Sequence, residues 1–562
     1  MSVEASLVKP PFSLSPDDIA WVRKTRDGLN TAQKIRQLFV HINHGDDEEK
    51  SKSLAKLQPG GLHRFMGRDL ETAWRATRAF MAECEIPPFI TADLEGGGHH
   101  SSCFTAFTNN LGLAAANDLE LSRHACAALA REARALGFNW TFTPCIDLNI
   151  ETGSAIVGTR SYGSNAETVL AQAKVHMLEM QRAGIAATTK HWPGEGLDWR
   201  DQHLVTTINP QKPAEWRANF GALYKALIDD GLMAVMSAHI ALPEYLKSKG
   251  VANGLERYRP ASLSKHLNFD LLRGELGFNG VILSDATPMA GLGSFSGRAE
   301  QVPQVIENGC DVFLFCVNEE EDIQYMENGL CSGALSEQRL EGAVTRILGM
   351  KAALGLHRMS LDERILPLDK VKAVVRARDH LGIARKVADR SVTLVKNTGN
   401  ALPVNPQRHR RITWIGKGAP GFIPGLPPKQ ATILREGLSK RGFVVSDFDP
   451  ENPPTPQNSD LVLYVMCDES SLGKSRIFLN WRTEQEGLRN LMTRYWHEIP
   501  TLLVSFGHPY YLQDVPRIPA CINAYAPVLD AQEAVLARIL GEAEFEGVSP
   551  VDAFAGAPDA RY

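Results

Sequence analysis

Up to about residue 355 the chain alternates short apolar runs of strand character with longer windows whose apolar residues recur at helical spacing. The strand-like runs are Leu38–Ile42, Gly60–Met66, Phe89–Asp93, Trp140–Asp147, Ile185–His191, Met233–His239, Gly280–Asp285 and Asp311–Val317. The helical windows between them include Asp118–Leu136, Ala166–Ala183 and Pro213–Asp230. Eight strands alternating with helices predict an α/β fold of the (β/α)8-barrel type. An open doubly wound sheet has the same periodicity, and the pattern alone does not separate the two. From His357 to Lys372 the pattern lapses into a charged, Pro-containing segment, read as an inter-domain connection. A second series follows, with strands at Val392–Lys396, Ile412–Gly416, Leu461–Val465, Thr501–Gly507 and Cys521–Tyr525. Its helices are predicted at Gln430–Gly442, Thr483–His497 and Ala531–Gly541. The expected organisation is a barrel over 1–355, a linker over 356–385 and a smaller α/β sandwich over 386–562, with Gly556–Tyr562 frayed.

Composition narrows this little. The 562 residues are 44% hydrophobic and 22% charged, as in an ordinary globular protein too long for one core. A net charge of −5 gives no reason to expect nucleic acid or an anionic membrane as partner. The nine cysteines are an odd number and form no C-x-x-C pair, which suits reduced thiols rather than a disulfide framework or a zinc site. The N-terminus has no apolar signal-like core and no later stretch is apolar enough to span a bilayer, so a soluble cytoplasmic chain is expected.

The candidate chemistry gathers at the ends of the first series of strands. The run into Lys190-His191 stops abruptly at Pro193, Gly194 and Gly196, which force a loop that carries Asp201 and His203. Asp93 and Glu95, Asp147, His239 and Asp285 stand at other strand ends. One polar strand end is an ordinary cap or ion pair. Several meeting at one barrel mouth make a site, because buried charge is costly without a ligand or counter-charge. Arg160, in the loop Gly158–Gly163, offers a guanidinium fork for hydroxyls or a carboxylate. Two chemistries fit: metal-assisted hydrolysis through His99, His100, His191, His239 and Asp285, with Lys190 bridging, or glycosyl transfer onto a carboxylate such as Asp285. The first lacks an H-x-H pair, since His99 and His100 are adjacent and cannot both face one ion from an extended strand.

The motifs then point to a family. Lys190-His-Trp-Pro-Gly194 followed by Asp201-Gln-His203, together with Gly277 to Asp285, resembles glycoside hydrolase family 3, in its β-N-acetylhexosaminidase branch. Asp93-Leu-Glu-Gly-Gly97, Phe142 to Asp147, Gly158 to Gly163, Ser237-Ala-His239, Pro260 to Ser264 and Asn308 to Asp311 follow in the family's order. Ser391 to Asn397 and Leu402-Pro403 resemble the opening of its C-terminal sandwich domain.

The resemblance implies an exo-acting, retaining β-N-acetylglucosaminidase that needs no metal or organic cofactor and takes a carbohydrate with a terminal β-linked N-acetylglucosamine. Asp285 would be the nucleophile that forms a glycosyl-enzyme, and His203 the acid/base, oriented by Asp201. Asp93, Arg160, Lys190 and His191 would hold the terminal sugar. An imidazole acid, with an ordinary pKa of about 6.5, suits proton donation and return near neutrality. Gln202 would be a spacer. The chain departs from the branch at Glu195, where a second His is usual, at Leu197-Asp198, where Asp-Thr is usual, and at Ser101, where an Arg is usual. These departures touch the sugar-binding rim, where His99 or His100 would stand in for the Arg. They keep three alternatives open: a family 3 β-glucosidase, a phosphorylase with the same dyad, and a non-catalytic carbohydrate-binding relative. Glu195 as acid/base is a further one.

Overall fold

The computed structural model describes residues 3–67, 69–96, 103–399, 401–419 and 429–562. By its contacts the chain forms two compact units. The first comprises residues 1–105, 126–147 and 170–380; the second comprises 106–125, 148–169 and 381–562. Two excursions from the first half of the chain, 106–125 and 148–169, thus fold with the second unit, and Arg160 goes with them.

In the first unit all eight expected strands form: β1 Phe39–His44, β2 Gly61–Phe65, β3 Phe89–Ala92, β4 Trp140–Thr141, β5 Ala186–Trp192, β6 Ala234–Ser237, β7 Val281–Ser284 and β8 Phe313–Leu314. They lie in the order β8-β1-β2-β3-β4-β5-β6-β7, every pairing parallel. The two ends of that sheet meet. Ser284 N donates to Val312 O at 3.0 Å and Asp311 N to Ile282 O at 2.6 Å, so the sheet nearly closes into the expected barrel. The strands read as continuous apolar runs because both their faces are covered: β5 is buried at all seven positions. The helices Leu119–Ala135 and Ala166–Arg182 match their windows closely. The Pro213–Asp230 window is interrupted by a wider π turn at Arg217–Gly221 between two α segments.

The closure is braced by charge. Asp311 is fully buried and accepts from Ile282 N at 2.9 Å, Arg273 Nη2 at 2.6 Å and Arg339 Nη2 at 3.3 Å. Burial, reinforced by Arg346 and Arg339, pushes the Arg273 guanidinium down to about 9, and Asp311 opposes that shift.

The second unit is built on a six-stranded sheet. Its strands are β9 Thr393–Asn397, β10 Arg411–Ile415, β11 Val444–Asp447, β12 Leu461–Met466, β13 Thr501–Ser505 and β14 Ala520–Asn523. They run in the order β9-β14-β13-β12-β10-β11, with β9 alone antiparallel to its neighbour. Alternate residues feed two cores. Ile412, Leu463, Val504 and Ile522 pack with Leu434, Leu438 and Val535 on one face. Ile415, Val462, Tyr464 and Leu503 pack with Leu479, Tyr495 and Leu512 on the other, which makes the sandwich.

Three details differ from expectation. No continuous helix covers Thr483–His497: the chain forms short turns of helix at Trp481–Glu484 and Leu488–Leu491, separated where Gly487 takes φ +90°. Buried Gln485 locks that break, accepting from Tyr464 OH at 3.0 Å and donating to Asn490 O at 3.0 Å. Edge strand β11 was absent from the sequence pattern, being four residues long and mostly exposed. The C-terminus is tied down rather than frayed: Ala560 is buried, and Lys396 Nζ donates to Tyr562 O at 2.6 Å. Segment 356–385 carries the helices Leu361–Arg364 and Leu368–Val374 and the start of Arg378–Ser391. None of the nine cysteines is in a disulfide, and among the described residues no helix is long and apolar enough to cross a membrane.

Removing Asp311 would strand two arginines at the barrel seam. Asp311→Ala is expected to destabilise the barrel by about 3–5 kcal/mol, the usual cost of breaking a buried ion pair from one side. Thermal unfolding followed by calorimetry checks this, and an unchanged first transition would show that the seam does not depend on the carboxylate.

Candidate active site

The C-terminal strand ends of the first unit bring together the expected polar groups. β5 delivers Lys190 and His191 on its last residues, and the segment after β4 runs on beside it. Lys190 N donates to Pro144 O at 3.2 Å and Ile146 N to Lys190 O at 2.9 Å, which seats Asp147 next to His191. The remaining groups follow the ends of β3, β6 and β7.

Two clusters result. In the first, Lys190 Nζ lies 2.6 Å from both Asp93 Oδ1 and Glu95 Oε1. The ammonium is 2% exposed and is balanced by two carboxylates, which is how a cation survives at that depth. His63 Nε2 approaches the other Asp93 oxygen at 3.6 Å while His63 Nδ1 sits 2.9 Å from Thr91 Oγ1.

The second cluster centres on Asp147. Its carboxylate receives His191 Nδ1 at 2.6 Å, His191 N at 3.1 Å, Glu195 N at 2.8 Å and Cys145 Sγ at 3.0 Å. Burial pushes the Asp147 carboxyl up, but His191, the Cys145 thiol and the Glu195 N–H outweigh it, and the group is held below the ordinary aspartate range. Cys145, Asp147 and His191 offer ligand atoms within 4.8 Å of one another. A metal there would have to displace the hydrogen bonds that thiol and imidazole both make to one carboxylate oxygen.

Asp285 follows β7 and is anchored by its backbone N to Ser237 O at 2.8 Å. Its Oδ1 accepts from Ala286 N at 2.7 Å, and its Oδ2 is buried without a hydrogen-bond partner among the described residues. Burial works against its charge, but His191, His239 and His203 together with the Ala286 N–H hold its pKa below the ordinary value. The His239 imidazole is pushed below its ordinary pKa by burial, a shift that the Asp285 charge opposes. Its Nε2 donates to Ala286 O at 3.0 Å and its Nδ1 accepts from Ser262 Oγ at 2.9 Å. Both His239 nitrogens are occupied and His191 Nδ1 is turned to Asp147, so those three atoms are engaged by protein partners rather than open to the metal set considered from the sequence.

On the loop after β5, His203 Nδ1 lies 2.7 Å from Asp201 Oδ1, which also accepts His203 N at 2.9 Å. Asp201 is buried, whereas the His203 side chain keeps 21% of its surface. The pair is therefore oriented from within and open to solvent at the imidazole's far nitrogen.

Sequence reasoning named Glu95 at a strand end without a role, gave Cys145 none and took Gln202 for a spacer. Glu95 shares Lys190 with Asp93, and Cys145 stands two residues before Asp147, on the same side of an extended segment, a period-two signal that was available. Gln202 is more than a spacer: it is fully buried, donates Nε2 to Glu195 Oε2 at 3.1 Å and accepts His239 N on Oε1 at 3.0 Å. Glu195 is itself buried at 2% exposure, not displayed at a rim. Arg160 lies in the second unit, where its carbonyl accepts Asn110 Nδ2 at 2.7 Å. Gly98, His99, His100 and Ser101 fall outside the described residues.

Because one carboxylate orients both His191 and the Glu195 backbone, Asp147→Asn, which cannot accept from all four donors, is expected to lower kcat/KM by about 100-fold, the cost of misplacing a binding group by about 1 Å. Steady-state kinetics on a turned-over glycoside, with unfolding as a fold control, measures it; wild-type kinetics would make the cluster merely structural.

Comparisons with known proteins bear on the family and the fold. Residues 30–350 match the model of the "Glycosyl hydrolase family 3 N terminal domain". The "Beta-N-acetylglucosaminidase/beta-glucosidase" of Cellulomonas fimi is 38% identical over 98% of both chains. The solved structure "Beta-glucoside phosphorylase BglX" superposes with a TM-score of 0.90 at 33% identity, covering 99% of this chain and all of that one. A family 3 β-N-acetylglucosaminidase from Paenibacillus, 23% identical with a TM-score of 0.77 over 94% of this chain and all of that one, shares the fold.

Proposed function

The chain belongs to glycosyl hydrolase family 3, and on that footing we propose that it is an exo-acting, retaining β-N-acetylglucosaminidase working through a glycosyl-Asp285 intermediate. The observation that carries the reading is a pair of unlike groups: a buried carboxylate held below its ordinary pKa, with one oxygen that has no hydrogen-bond partner among the described residues, and a carboxylate-backed imidazole partly open to solvent. Asp285 attacks the anomeric carbon as the bond to the leaving oxygen breaks, and His203 gives that oxygen its proton. In the second step His203 takes a proton from water as water displaces Asp285. Asp201 holds the Nδ1 hydrogen and stabilises the imidazolium. Lys190 with Asp93, and His191 on Asp147, would bind hydroxyls and the acetamide, and Arg160 is assigned to the sugar on its motif alone. The barrel unit would carry the chemistry, and the cysteines, none in a disulfide, fit a reducing, cytoplasmic location.

A second reading has a specific support. The phosphorylase relative matches nearly the full chain, and a His203 acid/base, unlike a carboxylate, does not repel an incoming phosphate dianion. Phosphate would then replace water in the second step and release a sugar 1-phosphate.

Asp285→Ala is expected to lose all but a few per cent of turnover while folding normally, and a 2-fluoro sugar bearing a good leaving group should label Asp285 in the wild type. A label found elsewhere by mass spectrometry would remove Asp285 as nucleophile. Because the site holds the Asp285 carboxyl below the ordinary aspartate range, its protonation should end activity only on the far acid side, which a pH profile of kcat/KM measures.

Sugar choice has its own test. If the acetamide is read by buried polar groups, the aryl N-acetylglucosaminide should exceed the aryl glucoside by about a hundredfold in kcat/KM. Equal rates would select the general β-glycosidase reading, and accumulation of sugar 1-phosphate with added phosphate would select the phosphorylase.

A further inference from the structure

We propose that Gln202 is a positioning residue that couples the Glu195 end of the sugar site to the acid/base loop, and that Glu195 and Gln202 work as a matched pair; the inference rests on His203 being the proton donor. The loop that carries the dyad reaches the surface on both sides of it, at Trp199, 57% exposed, and Leu204, 46% exposed. Gln202, between the two dyad residues, is fully buried next to buried Asp201.

Both ends of the Gln202 amide are used. Nε2 donates to Glu195 Oε2 at 3.1 Å, and Oε1 accepts the His239 backbone N–H at 3.0 Å. A continuous polar chain results. Asp147 receives both His191 and the Glu195 N–H, Glu195 accepts Gln202, Gln202 accepts the His239 N–H, and the His239 ring donates to Ala286 O beside Asp285. The backbone is fixed at the same place: Ala290 N donates to His203 O at 3.0 Å, and a Cβ at Gly291 would come within 2.1 Å of Gln202 O. Residues 201–205 form a turn, with Leu204 N and Val205 N donating to Asp201 O at 2.9 and 3.1 Å, and within it Gln202 is fully buried while the His203 side chain keeps part of its surface. The turn that presents His203 is therefore seated on a middle residue whose amide is satisfied beneath it.

The pairing demands one donor facing one carboxylate. An amide at 202 donates to Glu195 and accepts from His239 N–H. A carboxylate at 202 would still accept from His239 N–H but would face Glu195 as like charge, and two such groups share one proton rather than ionising together. Exchanging the two side chains restores one amide donor, one carboxylate acceptor and the bond to His239.

The test is kinetic, using the full-length enzyme and three variants, Gln202→Glu, Gln202→Met and Glu195→Gln/Gln202→Glu, with His203→Ala as reference. Substrates are an alkyl glycoside, whose leaving group needs a proton, and an activated aryl glycoside, which does not. Both single Gln202 variants should lose about 100-fold in kcat on the alkyl glycoside with KM nearly kept, and far less on the aryl glycoside. The Gln202→Glu loss should deepen as pH rises and the shared proton leaves. The exchanged double variant should recover to within about tenfold of wild type, with a wild-type pH profile. A double variant no better than Gln202→Glu, or single variants equally poor on both substrates, would overturn the proposal. If His203→Ala itself shows no leaving-group dependence, the functional reading falls and this inference with it. If His203→Ala shows it and the Gln202 variants do not, only the positioning role is lost.

Discussion

The barrel mouth depends on Asp147 staying ionised where water does not reach. One carboxylate accepts four donors from two stretches of chain, and so sets the direction of His191, the path of the backbone at Glu195 and, through Glu195, the seat of Gln202. Hydrogen bonds to an ionised acceptor are the stronger kind, and here they replace hydration almost completely. The Lys190 clamp next to it obeys the same rule with the signs reversed, two carboxylates holding one buried ammonium. The Lys190 and Asp147 charges are held in the mouth because neighbours compensate them.

Much of the fold was legible because barrel strands are buried on both faces. Runs such as Ile185–Thr189 stand out against the amphipathic helices around them, so all eight strands could be read. What escaped notice was decided by tertiary contact. The Thr483–His497 window has helical spacing, yet Gln485 finds Tyr464 and Asn490 and Gly487 turns the chain. Val444–Asp447 is too short and too exposed to carry an alternating pattern, and forms only because β10 pairs with it. The C-terminal residues read as polar and loose, but Lys396 captures the last carbonyl.

In the site, the residues that end a strand were readable and their supports were not. Lys190, His191, Asp201, His203 and Asp285 announce themselves as polar groups at abrupt strand ends or in a Gly/Pro loop. Glu95 was readable as a polar strand end but not as a partner of Lys190, Gln202 and Cys145 have ordinary surroundings in sequence, and the roles of all three follow from which atoms face them across 2.6–3.1 Å. Arg160 shows a different limit: its motif is clear, but the segment that bears it folds with the second unit.

The groups that hold the Asp285 charge carry a consequence for timing. Among the described residues nothing donates to its Oδ2, and the imidazoles around it with the Ala286 N–H keep the carboxylate ionised. Bonded to a sugar, as proposed, the same carboxylate would become a neutral ester, which these groups stabilise less than the anion. The surroundings would then favour release of the carboxylate, and the glycosylated enzyme should be short-lived. A short-lived ester leaves little time for exchange with bulk solvent, so the identity of the final product would be set by the acceptor already waiting at the mouth.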